Sequence, residues 1–148
     1  MAGAGKTRGV GVVVVTHGQL ATELLNAAEM IVGDLPGFAA VSIGWHDDVD
    51  IARDAIERAI AKARERYSGV LLLTDMFGGT PSNLGLTFLE AGRVEVVTGV
   101  NLPMLIKLAK TAEGADLTVL ARDLSAHGKA AIRVASDLLR ADPKKSEA

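Results

Sequence analysis

The chain has no cysteine. Disulfides, thiolate nucleophiles and cysteine-ligated metals are therefore excluded, and the composition suits a reducing cytoplasm. Aromatics are only 3% of residues, so the core has to be built from Val, Leu, Ile and Ala. No charge of one sign dominates: 16 basic against 18 acidic side chains give a net charge of −2. A nucleic-acid binder would carry a basic stripe, so that class is set aside. Long apolar runs are missing too. Val10 to Val15 is far too short to span a bilayer. Lys6 and Arg8 precede it, but no signal-peptide core and cleavage site follow. The three histidines have no short ligand spacing, so neither a zinc site nor any other metal is expected. No motif calls for a cofactor. Gly5-Lys6-Thr7 imitates the end of a phosphate-binding P-loop, but it lacks the upstream glycine and precedes a strand instead of following one.

What is present is a chain of 148 residues, 49% apolar and 23% charged, which suits one ordinary domain. We expect a leader over 1–8, a single domain over 9–140 and a polar tail over 141–148. Val10–Val15 is a β-branched run suited to a strand buried on both faces. Leu20, Leu24, Ala27, Ala28 and Ile31 then repeat at helical spacing, and Gly33 closes the helix. Phe38–Ile43 reads as a second strand. Asp47 and Asp48 favour a helix start, and Ile51, Ala52, Ala55, Ile56, Ala59 and Ile60 give that helix an apolar face. Val70–Thr74 is a third strand. Thr80 as a hydroxyl cap and Pro81 as the first helical residue open the next helix. Val94–Thr98 and Pro103–Lys110 complete a fourth strand–helix pair. Leu117, Leu120, Ala121 and Leu124 have helical spacing with Gly128 as the stop, although Leu117–Leu120 alone also fits a strand. Residues 130–139 fit either a strand or a helix.

Strands alternating with helices imply an α/β fold. It is an open, doubly wound, mostly parallel sheet of four strands with helices on both faces. Sites in such sheets lie outside the carboxyl ends of the strands, near a switch in strand order. Three loops qualify: Thr16-His17-Gly18, Thr74 to Thr80, and Thr98 to Asn101. His17 stands where a strand ends and a helix begins. A helix start offers unpaired N–H groups and a positive dipole end to an anion. A neutral imidazole is also a competent nucleophile, which a hydroxyl without a base is not. Asp75 ends another strand. If the strands are neighbours, its carboxylate accepts one ring N–H of His17 and leaves the other nitrogen free to attack. Gly78 and Gly79 allow close backbone approach to a phosphate. Thr80 and Ser82 bring a hydroxyl and further helix N–H groups. Each residue has a plain alternative: an exposed loop histidine, a turn-forming aspartate, an ordinary glycine loop. Their convergence on one sheet edge carries the argument. His46 shares that edge but reads as a surface residue, and His127 reads as a helix-end residue.

Three strings in register then resemble the mannose-family enzyme IIA components of the bacterial sugar phosphotransferase system. They are Val-Val-Thr-His17-Gly-Gln-Leu, Leu-Leu-Leu-Thr-Asp75-Met-Phe-Gly-Gly-Thr-Pro-Ser-Asn and Val-Val-Thr-Gly99-Val-Asn101-Leu-Pro103-Met-Leu. The agreement runs from about Gly9 to Leu108 and more loosely to Leu139. The resemblance implies a phosphotransferase. It takes a phosphoryl group from phospho-HPr onto His17 and passes it to a separate IIB component, which serves a membrane permease for sugar uptake. It implies that Asp75 orients the histidine and that Thr74 and Thr80 are polar positions around the phosphoryl group; Thr16, Gly18, Gly78, Gly79 and Ser82, at the same edge, are the further phosphate-binding or supporting candidates. Asn101 and Pro103 fall in the family's third loop, near the site. It also implies a cytoplasmic homodimer and an antiparallel C-terminal strand, exchangeable between subunits, over residues 130–137. Two alternatives use the same residues: a regulatory phospho-acceptor that reports sugar flux, and the phosphoryl-donor subunit of a dihydroxyacetone kinase. No sugar is implied, because a IIA component never binds it.

Overall fold

The computed structural model describes residues 7–111 and 114–140. Most of the expected leader and all of the expected tail lie outside them, but Thr7 and Arg8 already belong to the first strand. The strands are β1 (Thr7–His17), β2 (Phe38–Ile43), β3 (Tyr67–Thr74) and β4 (Val94–Thr98). They form one sheet in the order β2-β1-β3-β4, with every pair parallel. The helices are α1 (Leu20–Val32), α2 (Val49–Arg64), α3 (Gly79–Leu86), α4 (Leu102–Ala109), α5 (Leu117–Ala130) and α6 (Ala135–Arg140). Among the described residues, no helix is long and apolar enough to cross a membrane.

The β-branched run of β1 does what its composition requires. Val12 and Val14 face one core with Leu71 and Leu73 of β3, beneath α1, α4 and α5. Val13 and Val15 face the other with Val70 and Leu72, beneath α2 and α3. Alternate residues of a strand point to opposite faces, so a run without polar interruption fills both layers. Helix ends are marked by short polar side chains: Asp48 accepts from the N–H of Asp50, Asn101 from Met104 and Asp116 from Val119. The chain leaves β1 on one side to form β2 and returns on the other to form β3. That reversal places the switch point between the carboxyl ends of β1 and β3.

Three expectations are corrected. Thr80 does not cap α3. The helix is entered through Gly78 and Gly79 in left-handed conformations (φ 90° and 81°), and Ser82 Oγ reaches back to accept the N–H of Gly78. Gly128 does not stop α5, which runs on to Ala130. A Cβ there would lie 2.7 Å from Met104 Sδ, so this glycine serves helix–helix contact. The expected C-terminal strand over 130–137 is absent: the chain leaves α5 at Ala130 and forms α6 from Ala135. That strand was implied by exchange between two chains, and within one chain no sheet edge pairs with it. Local preference then decides, with Asp137 in the first turn and Arg140 in the last matching the helix dipole.

Candidate active site

His17 is the last residue of β1, and Asp75 follows the last residue of β3. Val15 pairs with Thr74 across the two strands, which sets His17 and Asp75 side by side. His17 Nδ1 lies 2.8 Å from Asp75 Oδ2. The same oxygen accepts the backbone N–H of His17 at 3.1 Å, and Oδ1 accepts the N–H of Met76 at 3.1 Å. A carboxylate only accepts, so its contact with Nδ1 favours the neutral tautomer that carries the proton on Nδ1. Nε2 keeps its lone pair. The carboxylate is largely covered (13% exposed) and the imidazole is open (52%), so the partner is buried while the ring stays accessible.

Nε2 faces the start of α3. A Cβ placed on Gly79 would lie 3.2 Å from both Cε1 and Nε2 of His17, and Gly79 has φ +81°. Both the conformation and the space therefore call for glycine. The first-turn N–H groups of Gly79 and Thr80 have no acceptor within their own helix. The positive end of α3 thus lies beside Nε2, an arrangement that would stabilise an anion there.

The other sequence-derived residues divide into near and remote. Thr16 is fully buried, and its Oγ1 accepts the N–H of Ala21 at 2.7 Å, so it secures the start of α1. Gly18 turns the chain with φ 55° and donates its N–H to Ile43 O at 2.8 Å. Thr74 is fully buried and its hydroxyl donates to Met76 O at 3.4 Å. Thr80 is exposed in the first turn of α3. Asn101 is engaged elsewhere: Oδ1 caps α4, and Nδ2 donates to Gly128 O at 3.1 Å. Pro103 lies in the first turn of α4. Their loop is nevertheless tied to the end of β3, because Val100 N–H donates to Thr74 O. His46 packs on Trp45, and His127 sits exposed in the last turn of α5.

Sequence reasoning passed over the main-chain N–H of Met76, which no residue type announces. It also passed over the exposed apolar side chains Met76, Phe77 and Trp45 on the same rim. No local signal marks them, since a count of one tryptophan, one tyrosine and three phenylalanines does not say which of them lie outside the core.

The family model described as the fructose IIA component of the phosphotransferase system matches residues 11–125. The fructose-specific EIIA component of Bacillus subtilis is 29% identical over 131 residues, covering 88% of this chain and 89% of that protein. The mannose-specific EIIAB component of Escherichia coli K12 is 34% identical over 119 residues; the match covers 77% of this chain and 32% of that longer protein. Among solved structures, the mannose/sorbose-specific IIA subunit of the phosphotransferase system from Enterococcus faecalis superimposes with a TM-score of 0.74 at 31% identity. That match covers 85% of this chain and 94% of that one.

Proposed function

The chain belongs to the mannose-family IIA components of the sugar phosphotransferase system, and we propose that it serves there as a phosphohistidine carrier with Nε2 of His17 as the accepting atom. The observation that carries this reading is the His17–Asp75 contact at the switch point, with Nε2 turned to the start of α3. Phospho-HPr brings its phosphohistidine over His17. The Nε2 lone pair attacks phosphorus as the donor's N–P bond breaks, and the donor imidazole recovers that bond's electron pair. One N–P bond replaces another, so the transfer is close to balanced and runs in either direction. Nδ1–H stays bonded to Asp75, whose negative charge offsets the charge on the ring. The phosphoryl oxygens meet the N–H groups of Gly79 and Thr80. Positioning and fixed dipoles do the rest. A IIB component then attacks the same phosphorus from solvent and carries the group towards a membrane permease. The work is placed in the cytoplasm.

The test is direct. Incubation with phosphoenolpyruvate, enzyme I and HPr is expected to put acid-labile phosphate on His17, and His17→Ala is expected to remove all of it. No label on the wild-type chain, or equal label on the variant, defeats the proposal.

The proposal includes a homodimer. Its support is the exposed apolar set Ile132, Val134, Leu138 and Leu139, which a second chain would cover. Sedimentation at micromolar concentration checks it; a monomer throughout would remove this part and leave the carrier role standing.

A further inference from the structure

His17 lies between two exposed aromatic side chains. Trp45 is 93% exposed on the β2 side, and Phe77 is 76% exposed on the β3 side. His17 pairs with Ile43, and Trp45 follows two residues later. Strand spacing and chain reach place the Cα of Trp45 within about 12 Å of that of His17. Phe77 follows two residues after Asp75, which touches the imidazole. A small transient complex covers roughly 600 Å² on each partner, a disc of about 14 Å radius. A protein of that footprint centred on Nε2 has the reach to cover both aromatics.

Trp45 is held out rather than left loose. Gly44 to Asp47 form a turn closed twice: Asp47 N–H donates to Gly44 O at 3.2 Å, and Gly44 N–H donates to the Asp47 carboxylate. Trp45 and His46 occupy its corners, with their rings edge-to-face at 6.4 Å. Asp47, Asp48 and Asp50 follow, all exposed, which favours basic groups on what docks there. Tryptophan is among the residue types that dominate protein–protein contact energies, and here its backbone is fixed by the closed turn.

We infer that Trp45 and Phe77 are the two apolar anchors on which the phosphohistidine-bearing face of HPr docks. This rests on the carrier reading above. With phospho-HPr as donor, Trp45→Ala is expected to raise the KM by roughly tenfold or more with kcat within about twofold, and Phe77→Ala to act in the same direction. Trp45→Phe is expected to restore most of the loss. Phosphoramidate, a small donor that requires no docking surface, is expected to label His17 equally in the wild type and Trp45→Ala. Trp45 is also the chain's single tryptophan. In the His17→Ala chain its emission is expected to shift to the blue when tryptophan-free HPr is added. An unchanged KM in both alanine variants overturns the inference while wild-type labelling keeps the carrier reading intact. An unchanged KM with a lost dimer would reassign the patch to a second copy of this chain. Failure of both donors to label the wild type removes the carrier reading itself, and the inference with it.

Discussion

At the carboxyl ends of β1 and β3, Thr16, Thr74 and Ser82 are fully buried, and each hydroxyl has a named partner. Beyond α5 every residue from 132 to 140 is exposed, four of them large and apolar. The first region is specified many times over. Strand pairing, helix starts and side-chain bonds all converge on one pair of residues 58 positions apart in the chain. The second is specified only by local preference, since no burial selects one conformation over another. The proposed site therefore sits where the fold leaves least freedom, as placing a nucleophile against a helix start would demand.

The largest expected effect tests that convergence at its centre. Asp75→Asn preserves shape but not bonding. The carboxylate accepts from three N–H groups through two oxygens, whereas an amide has one oxygen and a donating nitrogen. With the nitrogen towards His17, the imidazole is driven to the tautomer that blocks Nε2; with it towards Met76, two donors face each other. Transfer from phospho-HPr is expected to slow by about 10- to 100-fold, as for loss of a histidine's carboxylate partner elsewhere. A chain that keeps its urea midpoint and also its transfer rate would show that Asp75 does not orient His17.

Thr16→Val separates support from chemistry in the same region. The exchange keeps the buried volume but removes the acceptor for the N–H of Ala21, itself fully buried. The loss is expected to be about 1–2 kcal/mol, the cost of an orphaned buried donor at a helix start. Urea denaturation reads it through the midpoint. The transfer rate is expected to fall less than for Asp75→Asn, because Thr16 touches α1 and not the imidazole. The reverse order would make Thr16 part of the phosphoryl site.

The same contrast explains what could be read from residues alone. β2 and β4 run where the sequence places them, at Phe38–Ile43 and Val94–Thr98, because short, mostly apolar stretches bounded by loop residues signal strands even with Ser42 or Glu95 inside them. His17 and Asp75 follow from the carboxyl-edge rule once β1 and β3 are neighbours. That adjacency is a property of sheet order, which periodicity does not encode. Gly128 misled because glycine signals both a helix end and a close contact, and only the Met104 sulfur above it tells the two apart. Thr80 misled because Thr-Pro is a sound helix opening, yet α3 is entered through Gly78 and Gly79 without a side-chain cap, and Ser82 Oγ only accepts the N–H of Gly78. Nothing local marks Trp45 as exposed; its place on the rim comes from the register of β2 against β1.

The smallest expected effect belongs to the other region. Leu139 is 91% exposed at the end of α6, so Leu139→Ser removes almost no buried surface from its own chain. Exposed substitutions of this kind change folding free energy by less than about 0.5 kcal/mol. Urea unfolding at a concentration too low for dimers is expected to show no more than that. Covered by a second chain, the same leucine would contribute roughly 1.5–3 kcal/mol of apolar burial. Sedimentation of Leu139→Ser is therefore expected to show a dimer weakened about tenfold or more, one tenfold step for each 1.4 kcal/mol lost. A large drop in the monomer's own stability would mean that this segment is already packed within the chain, and the contrast between the two regions would fail. An unweakened dimer would place the contact on another surface and leave Leu139 without a role.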